Sequence, residues 1–442
     1  MSALKTSALR LIKPLAFPDY ALLASALVFS TFAAGMWAVA MVYQVRRLGG
    51  GPVELSAVAT ANAAGLLCFV LLGGIMADRH SCRRIVMLVE ALSLAVMGVT
   101  AVLAMTEVLQ LWHLMLAGFC TGAGSAFFYP AYSALLPKML PAEQLLAANG
   151  LEGTARPVVH TALGPMAAGF VVAALSPAHA IVGISVIHLA ALLMLRRIPN
   201  RQAYNAPGPV DGQGQPGMLR QLREGIGYTV RTRWLLWTLL FSVISVFTFI
   251  GPFEVLLPFI VSGNLHGDAR LFSFALAFFG LGSAIGSLLV ASAKFPRRYL
   301  SLMTACWCLG TLPLALVGYV DAAWMLFAIL LAFGITDAVG MVIWGTLLQR
   351  RVPGHLLGRI SSLDFFVSLA LMPLSMAAAG PLTQVLSLQE IFVIAGLASP
   401  LFGIIAWWAG RFARDEIAHP LSDPVPAALD GERGGEAPAS SR

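Results

Sequence analysis

Ionisable side chains are scarce in this chain, and several of them interrupt long apolar runs. Glu152 and Arg156 stand four residues apart, one helical turn, with His160 a further turn along the same face. They form either a self-neutralising ion pair or a coupling site. Glu254 lies two residues beyond Gly251-Pro252 and has no basic neighbour in sequence; Asp337 is equally isolated. A charge near the centre of a bilayer costs at least ~2.5 kcal/mol on insertion scales, so each of these is a functional candidate. For Glu254 and Asp337 that role is binding a proton or a cationic solute, against a lone acid satisfied by a hydroxyl or a backbone group. His188 reads as a hydrogen-bonded interior residue. Trp37 and the set Phe127, Phe128, Tyr129 and Tyr132 could line a broad apolar cavity suited to flat or amphipathic solutes, or pack against lipid and other helices.

These residues need an unusual scaffold. Apolar residues make up 58% of the 442, charged residues 11%, and the mean hydropathy is +0.82. Soluble domains carry about 25% charged residues, so the chain cannot cover an ordinary core with a charged shell. Its apolar runs are 20–43, 54–77, 84–106, 108–135, 146–175, 178–197, 234–261, 270–293, 298–318, 322–347, 358–384 and 388–410. A bilayer needs roughly 20 apolar residues per helix, and backbone groups in hydrocarbon must be satisfied within the segment. The reading is an all-α membrane protein with twelve transmembrane helices. Gly164-Pro165, Gly251-Pro252 and Gly380-Pro381 inside the runs do not break it, because membrane helices tolerate both residues.

Charge placement sets the orientation. Of 28 Lys and Arg, only Arg46, Arg47 and Arg270 fall on one side and Arg156 lies within a run. The rest share a side with both termini, which makes that side cytoplasmic and the protein a multi-pass inner-membrane one. The domains expected are a six-helix bundle at 1–198 with an amphipathic lead-in over 1–18, a linker at 199–233 ending in a basic amphipathic stretch from Met218, a second bundle at 234–411, and a disordered tail at 412–442. The lead-in is not expected to be a cleavable signal peptide. The five cysteines (Cys68, Cys82, Cys120, Cys306, Cys308) are scattered, as buried small residues would be.

The chain also repeats. Shifted by 212 residues, Leu135-Leu136 falls on Leu347-Leu348, Lys138 on Arg350, Pro141 on Pro353, Leu151 on Leu363, Glu152 on Asp364 and Gly74 on Gly286. Arg83-Arg84 meets Arg297-Arg298 and Gly164-Pro165 meets Gly380-Pro381 after short slips. Two six-helix bundles related by pseudo-two-fold symmetry follow, an architecture of alternating-access transporters. The match of Glu152 with Asp364 points to a gate at the cytoplasmic ends of the fifth and eleventh helices.

The turn Gly73-Gly74-Ile75-Met76-Ala77-Asp78-Arg79-His80-Ser81-Cys82-Arg83-Arg84 resembles the signature of the major facilitator superfamily between helices two and three. It keeps Gly74, Asp78, Arg79 and Arg83, with Ser81 and Cys82 where Gly and Arg are usual. The segments 127–137, 146–151, 163–169 and 347–363 resemble the branch that contains enterobactin exporters and macrolide efflux proteins. The resemblance implies a cytoplasmic latch that holds the outward-open state. In it Gly74 permits close helix approach, Asp78 faces the N-terminus of helix eleven, and Arg79 and Arg83 pair with acids such as Glu90 and Glu143. The alternative is charges that serve topology alone. It implies too that helices one, four, seven and ten line the cavity, which would bring Trp37, His113, Tyr129, Tyr132, Glu254 and Asp337 there. His113 stands where many proton antiporters of the superfamily carry Arg, which puts the usual Arg relay in doubt. Gly164-Pro165-x-x-x-Gly169 is similar to a helix-five packing pattern of antiporters.

The function expected is secondary-active, proton-coupled export of amphipathic small molecules, drugs or siderophores. A lipid or lysolipid translocator of the same fold and a non-transporting sensor are the alternatives. None of the four lysines follows a glycine and no histidine precedes a glutamate, so neither a phosphate-binding loop nor a zinc-protease helix is present. No enzyme activity, cofactor, metal or nucleic acid is expected. The partners are a small solute, protons and membrane lipids, and the protein is expected to be a monomer.

Overall fold

Runs of this length and apolarity bury their backbone in helices, and the computed structural model, which describes residues 13–201, 218–292 and 296–421, has no strand among them. After a short 3-10 turn at Lys13–Ala16 come α1 (Pro18–Arg47), α2 (Pro52–Arg79), α3 (Cys82–Met105) and α4 (Leu111–Met139). The fifth, α5, runs Ala142–Pro157, loosens to a π turn at Val158–Leu163 and continues Gly164–Ala174; α6 is Pro177–Arg197. The amphipathic α7 (Met218–Arg231) leads into α8, which runs Arg233–Gly251, a π turn Pro252–Leu256 and Leu257–Gly263. Then follow α9 (Ala269–Ser292), α10 (Tyr299–Thr311, ending in a 3-10 segment Leu312–Tyr319), α11 (Ala323–Arg351), α12 (Gly354–Leu382), α13 (Leu388–Ala409) and a short α14 (Phe412–Ala418). Among the described residues eleven helices are long and apolar enough to cross a membrane; α12 contributes the shorter apolar stretch Ala370–Leu382.

The turns are short and chemically specified. Gly49 sits at φ 81, a left-handed position that glycine adopts without strain. Ser387 and Glu390 form a capping box at the start of α13. The end of the bundle that holds the turns at 48–51, 106–110 and 383–387 is called the far end below, and the end next to the linker the linker end.

Packing divides the molecule unequally. One hydrophobic cluster in the far half joins both bundles, running from Met36, Val39 and Val58 to Leu256, Ile260, Phe272 and Phe333. At the linker end the clusters are separate. One holds only first-half residues such as Tyr20, Tyr132 and Leu195, the other only second-half residues such as Trp234, Tyr299 and Phe412. Among the described residues, the buried clusters therefore join the two halves at the far end and stay separate at the linker end.

Glycine contacts carry the repeat into three dimensions. Gly35 on α1 lies against the His160 carbonyl and Pro165 on α5, and Gly251 on α8 lies against the Ser375 carbonyl and Ala379 on α12. Gly73 on α2 touches Ala126 of α4, as Gly286 on α9 touches Ile335 of α11. Gly74, expected to permit this approach, faces open space instead. The one-residue difference is a rotation of about 100° around a helix, so the signature glycine and the packing glycine cannot share a face.

The first residues of the tail expected at 412–442 form a helix packed on the bundle. Phe412 and Glu416 are buried, Asp415 pairs with Arg351, and Glu416 accepts hydrogen bonds from the Ser301 amide and hydroxyl. Residues 1–12, 202–217 and 422–442, where most of the lead-in, the linker and the rest of the tail fall, lie outside the described residues.

Candidate transport cavity

A cavity of about 340 Å³ lies between the halves at mid-height. Its wall comes from α1 to α6 and from α8 and α12, including Trp37, Asn62, Tyr129, His160, His188 and Glu254. A narrower crevice continues toward the linker end along Tyr20, Leu27, Thr31, Tyr132, Glu152 and Arg156. Toward the far end it is closed. The Ser56 hydroxyl of α2 donates to the Met376 carbonyl of α12, Gly380 packs on Pro52 and Ser56, and Gly169 of α5 packs on Ala269 and Ser273 of α9.

Two of the polar wall residues share a local cause. His160 lies in the π turn after Pro157, and Glu254 in the π turn that begins at Pro252. Proline supplies no N–H and crowds the carbonyl four residues back, so the helix widens there, as π turns do at many functional sites. The His160 ring nitrogen Nδ1 lies 3.4 Å from the Thr31 carbonyl. Glu254 is exposed, lines the cavity, and has no hydrogen-bond or ion-pair partner among the described residues. Among the described residues it is the one acidic side chain on the wall, which it shares with Trp37, Met372 and Met376. Trp37 is buried and its indole N–H has no acceptor among the described residues. A carboxylate that opens on the cavity without a partner can take up a proton or a cationic group.

The remaining expected residues disperse. Arg156 stacks over Tyr129, its guanidinium carbon 4.2 Å from the ring centroid, and makes no ion pair with Glu152 among the described residues. Glu152 stands near Tyr20 and Tyr132 in the crevice, and Tyr132 is buried against Phe128 with the rings stacked at 6.1 Å. Asp364 accepts a hydrogen bond from the Trp344 indole at 3.0 Å, and among the described residues no bond joins it to Glu152. Asp337 is half-buried on α11 and does not line the cavity.

His113 is placed elsewhere than expected. The helix begins at Leu111, so His113 lies in its first turn at the far end, where its Nδ1 accepts from the Gln110 amide at 2.9 Å. It caps a helix and does not reach the cavity. Glu90 does not pair with Arg79 or Arg83: it is buried at 1% exposure and lies 2.8 Å from His188 Nδ1. Arg83 donates to the Ile198 carbonyl at 2.9 Å, one of the acceptors left open at the end of α6. Arg79 and Glu143 are exposed, and the side chain of Asp78 lies outside the described residues. Gly164 packs on Phe32 and Gly35 of α1.

The bond between Glu90 and His188 escaped sequence reading because the two lie on α3 and α6, far apart in the chain. A buried acid in a third-helix run was the available signal.

Residues 10–429 match the family described as transmembrane secretion effectors. Macrolide efflux protein A of Streptococcus pyogenes is 22% identical over 366 residues, covering 81% of this chain and 87% of that protein. The multidrug efflux pump Tap of Mycolicibacterium fortuitum is 23% identical over 401 residues, covering 87% and 94%. In fold, the nucleoside transporter NupG superposes with a TM-score of 0.66 at 10% identity, covering 90% of this chain and 99% of that one. A POT family transporter in complex with a thioalcohol conjugated peptide gives 0.70 at 13%, over 90% and 96%.

Proposed function

Because the chain belongs to the transmembrane secretion effector family of the major facilitator superfamily, we propose that it exports amphipathic small molecules of the macrolide and drug type by alternating access. One observation carries the reading: among the described residues the buried cores of the halves join at the far end and stay separate at the linker end, with the cavity between them. With the linker end cytoplasmic, as the basic residues require, this is the inward-facing state, ready to load solute from the cell.

In this reading the aromatic and methionine residues of the wall take up the apolar body of the solute. Glu254 holds a cationic group or a proton. Release follows when the far-end contacts around Ser56, Gly169 and Gly380 part and the linker end closes. The latch around Asp78, Arg79 and Arg83 belongs to that opposite state, so its pairs are not expected here. Proton exchange drives the cycle.

The test is accumulation of a macrolide and a panel of lipophilic cations in cells with and without the protein. Expression is expected to lower accumulation severalfold, and a protonophore to abolish the difference. Equal accumulation in both strains for every compound would overturn the export reading; survival of export without a proton gradient would overturn the coupling.

A further inference from the structure

Where α13 ends beside the start of α8, the second half carries a concavity of about 620 Å³ that is separate from the transport cavity. That volume is in the range of small-ligand sites. Its wall includes Arg233, Trp237, Trp407, Trp408, Arg411 and Arg414, and no acidic residue among the described residues. The acids nearest in sequence are committed elsewhere. Asp415 pairs with the buried Arg351, and Glu416 accepts from the Ser301 amide at 3.1 Å and hydroxyl at 2.7 Å.

These contacts, with buried Phe412, pin one face of α14 to the bundle. Arg411 and Arg414 are left on the concavity. Arg411 holds φ 52 and ψ 40, a left-handed conformation that non-glycine residues seldom adopt. The chain therefore turns sharply right after α13, and the turn is anchored. None of Arg233, Arg411 and Arg414 is in an ion pair among the described residues.

Three uncompensated guanidiniums call for an anion with several oxygen acceptors, and the planar fork of arginine matches phosphate. The level in the membrane narrows the choice. Arg233 is the first residue of α8, and Arg411 follows the last residues of α13, so the charges sit where the spans leave the hydrocarbon. Tryptophan rings favour that boundary; Trp408 is 78% exposed beside them, and the Trp407 indole is tied to Ser301 Oγ at 2.9 Å. We propose that this concavity binds the phosphate headgroup of an anionic phospholipid, held by Arg233, Arg411 and Arg414, with an acyl chain along Trp408.

The site goes beyond the export reading and does not depend on any solute. The full chain, purified in detergent, is titrated with phosphatidylglycerol or with phosphatidylcholine of the same acyl chains. Bound lipid is counted by native mass spectrometry and protection read by thermal unfolding. Phosphatidylglycerol is expected to remain bound and raise the melting temperature, phosphatidylcholine to do neither. The triple variant Arg233→Gln, Arg411→Gln, Arg414→Gln is expected to bind phosphatidylglycerol at least tenfold more weakly. Arg196→Gln with Arg197→Gln, at the same end of the first half, is expected to leave binding unchanged. Wild-type binding by the triple variant would overturn the proposal. So would protection by millimolar inorganic phosphate equal to that by the lipid, which would make the ligand a soluble anion. If the triple variant does not fold, Arg414→Gln alone is measured: about threefold weaker binding supports the site, and no change overturns it.

Discussion

At the scale of single residues the cavity is defined by what lacks a partner. Glu254 carries its carboxyl onto the cavity wall with no partner among the described residues, and the buried Trp37 N–H has no acceptor there. Glu254→Gln keeps the size and removes the charge. Export of lipophilic cations is expected to fall at least tenfold while export of neutral amphipaths is retained, measured by accumulation in cells. Equal export of both by the variant would remove Glu254 from recognition. The bond between Glu90 and His188 predicts a different outcome. Leaving a buried group unsatisfied costs about 1–3 kcal/mol, so Glu90→Ala is expected to lower the melting temperature of the purified protein by several degrees; Arg79→Ala, at an exposed position, is expected to leave it unchanged. The isolation of Glu254 was legible in the sequence, because no basic residue is within reach along the helix. The fate of Glu90 was not, because its partner is on a helix whose approach is set by packing.

At the scale of elements, prolines and glycines decide where helices loosen and how closely they pass. Pro157 and Pro252 each place a titratable residue in a π turn on the cavity wall. The helix-two signature contains two adjacent glycines with different surroundings. A side chain at Gly73 would run into the Ala126 carbonyl, whereas one at Gly74 meets open space. Gly73→Leu is therefore expected to prevent assembly, seen as loss of membrane-extracted, monodisperse protein, and Gly74→Leu to assemble normally. If Gly74 serves the latch, transport by Gly74→Leu is lost although the protein folds; full transport would remove Gly74 from it. The family resemblance pointed to Gly74 on α2, whereas Gly73 is the glycine that packs on α4. Which of two adjacent glycines packs depends on the rotation of the helix, which the sequence does not record.

At the scale of the whole molecule the far-end seal is the feature that must open. It rests on small residues, with Gly380 against Pro52 and Ser56, and Gly169 against Ser273. Gly380→Leu cannot pack there and is expected to bias the protein toward the state open at the far end. In a background lacking native cysteines, Ala59→Cys on the cavity wall reports this. Labelling by an impermeant maleimide from outside the cell is expected to rise severalfold with Gly380→Leu, and transport to be lost. Unchanged labelling would show that the seal is not at this contact.

The sequence by itself determined that the chain lives in a bilayer, that its spans are helices, and that its halves repeat. These follow from apolar mass, from the need to satisfy backbone groups in hydrocarbon, and from matched turn residues, all of which are local or periodic along the chain. Only the tertiary structure decided that Glu254 lines the cavity and Asp337 does not, that His113 caps a helix, and that the halves close at the far end. Each of those depends on how helices rotate and cross. In a membrane that is set by the fit of small side chains against facing backbones, which neither composition nor spacing records.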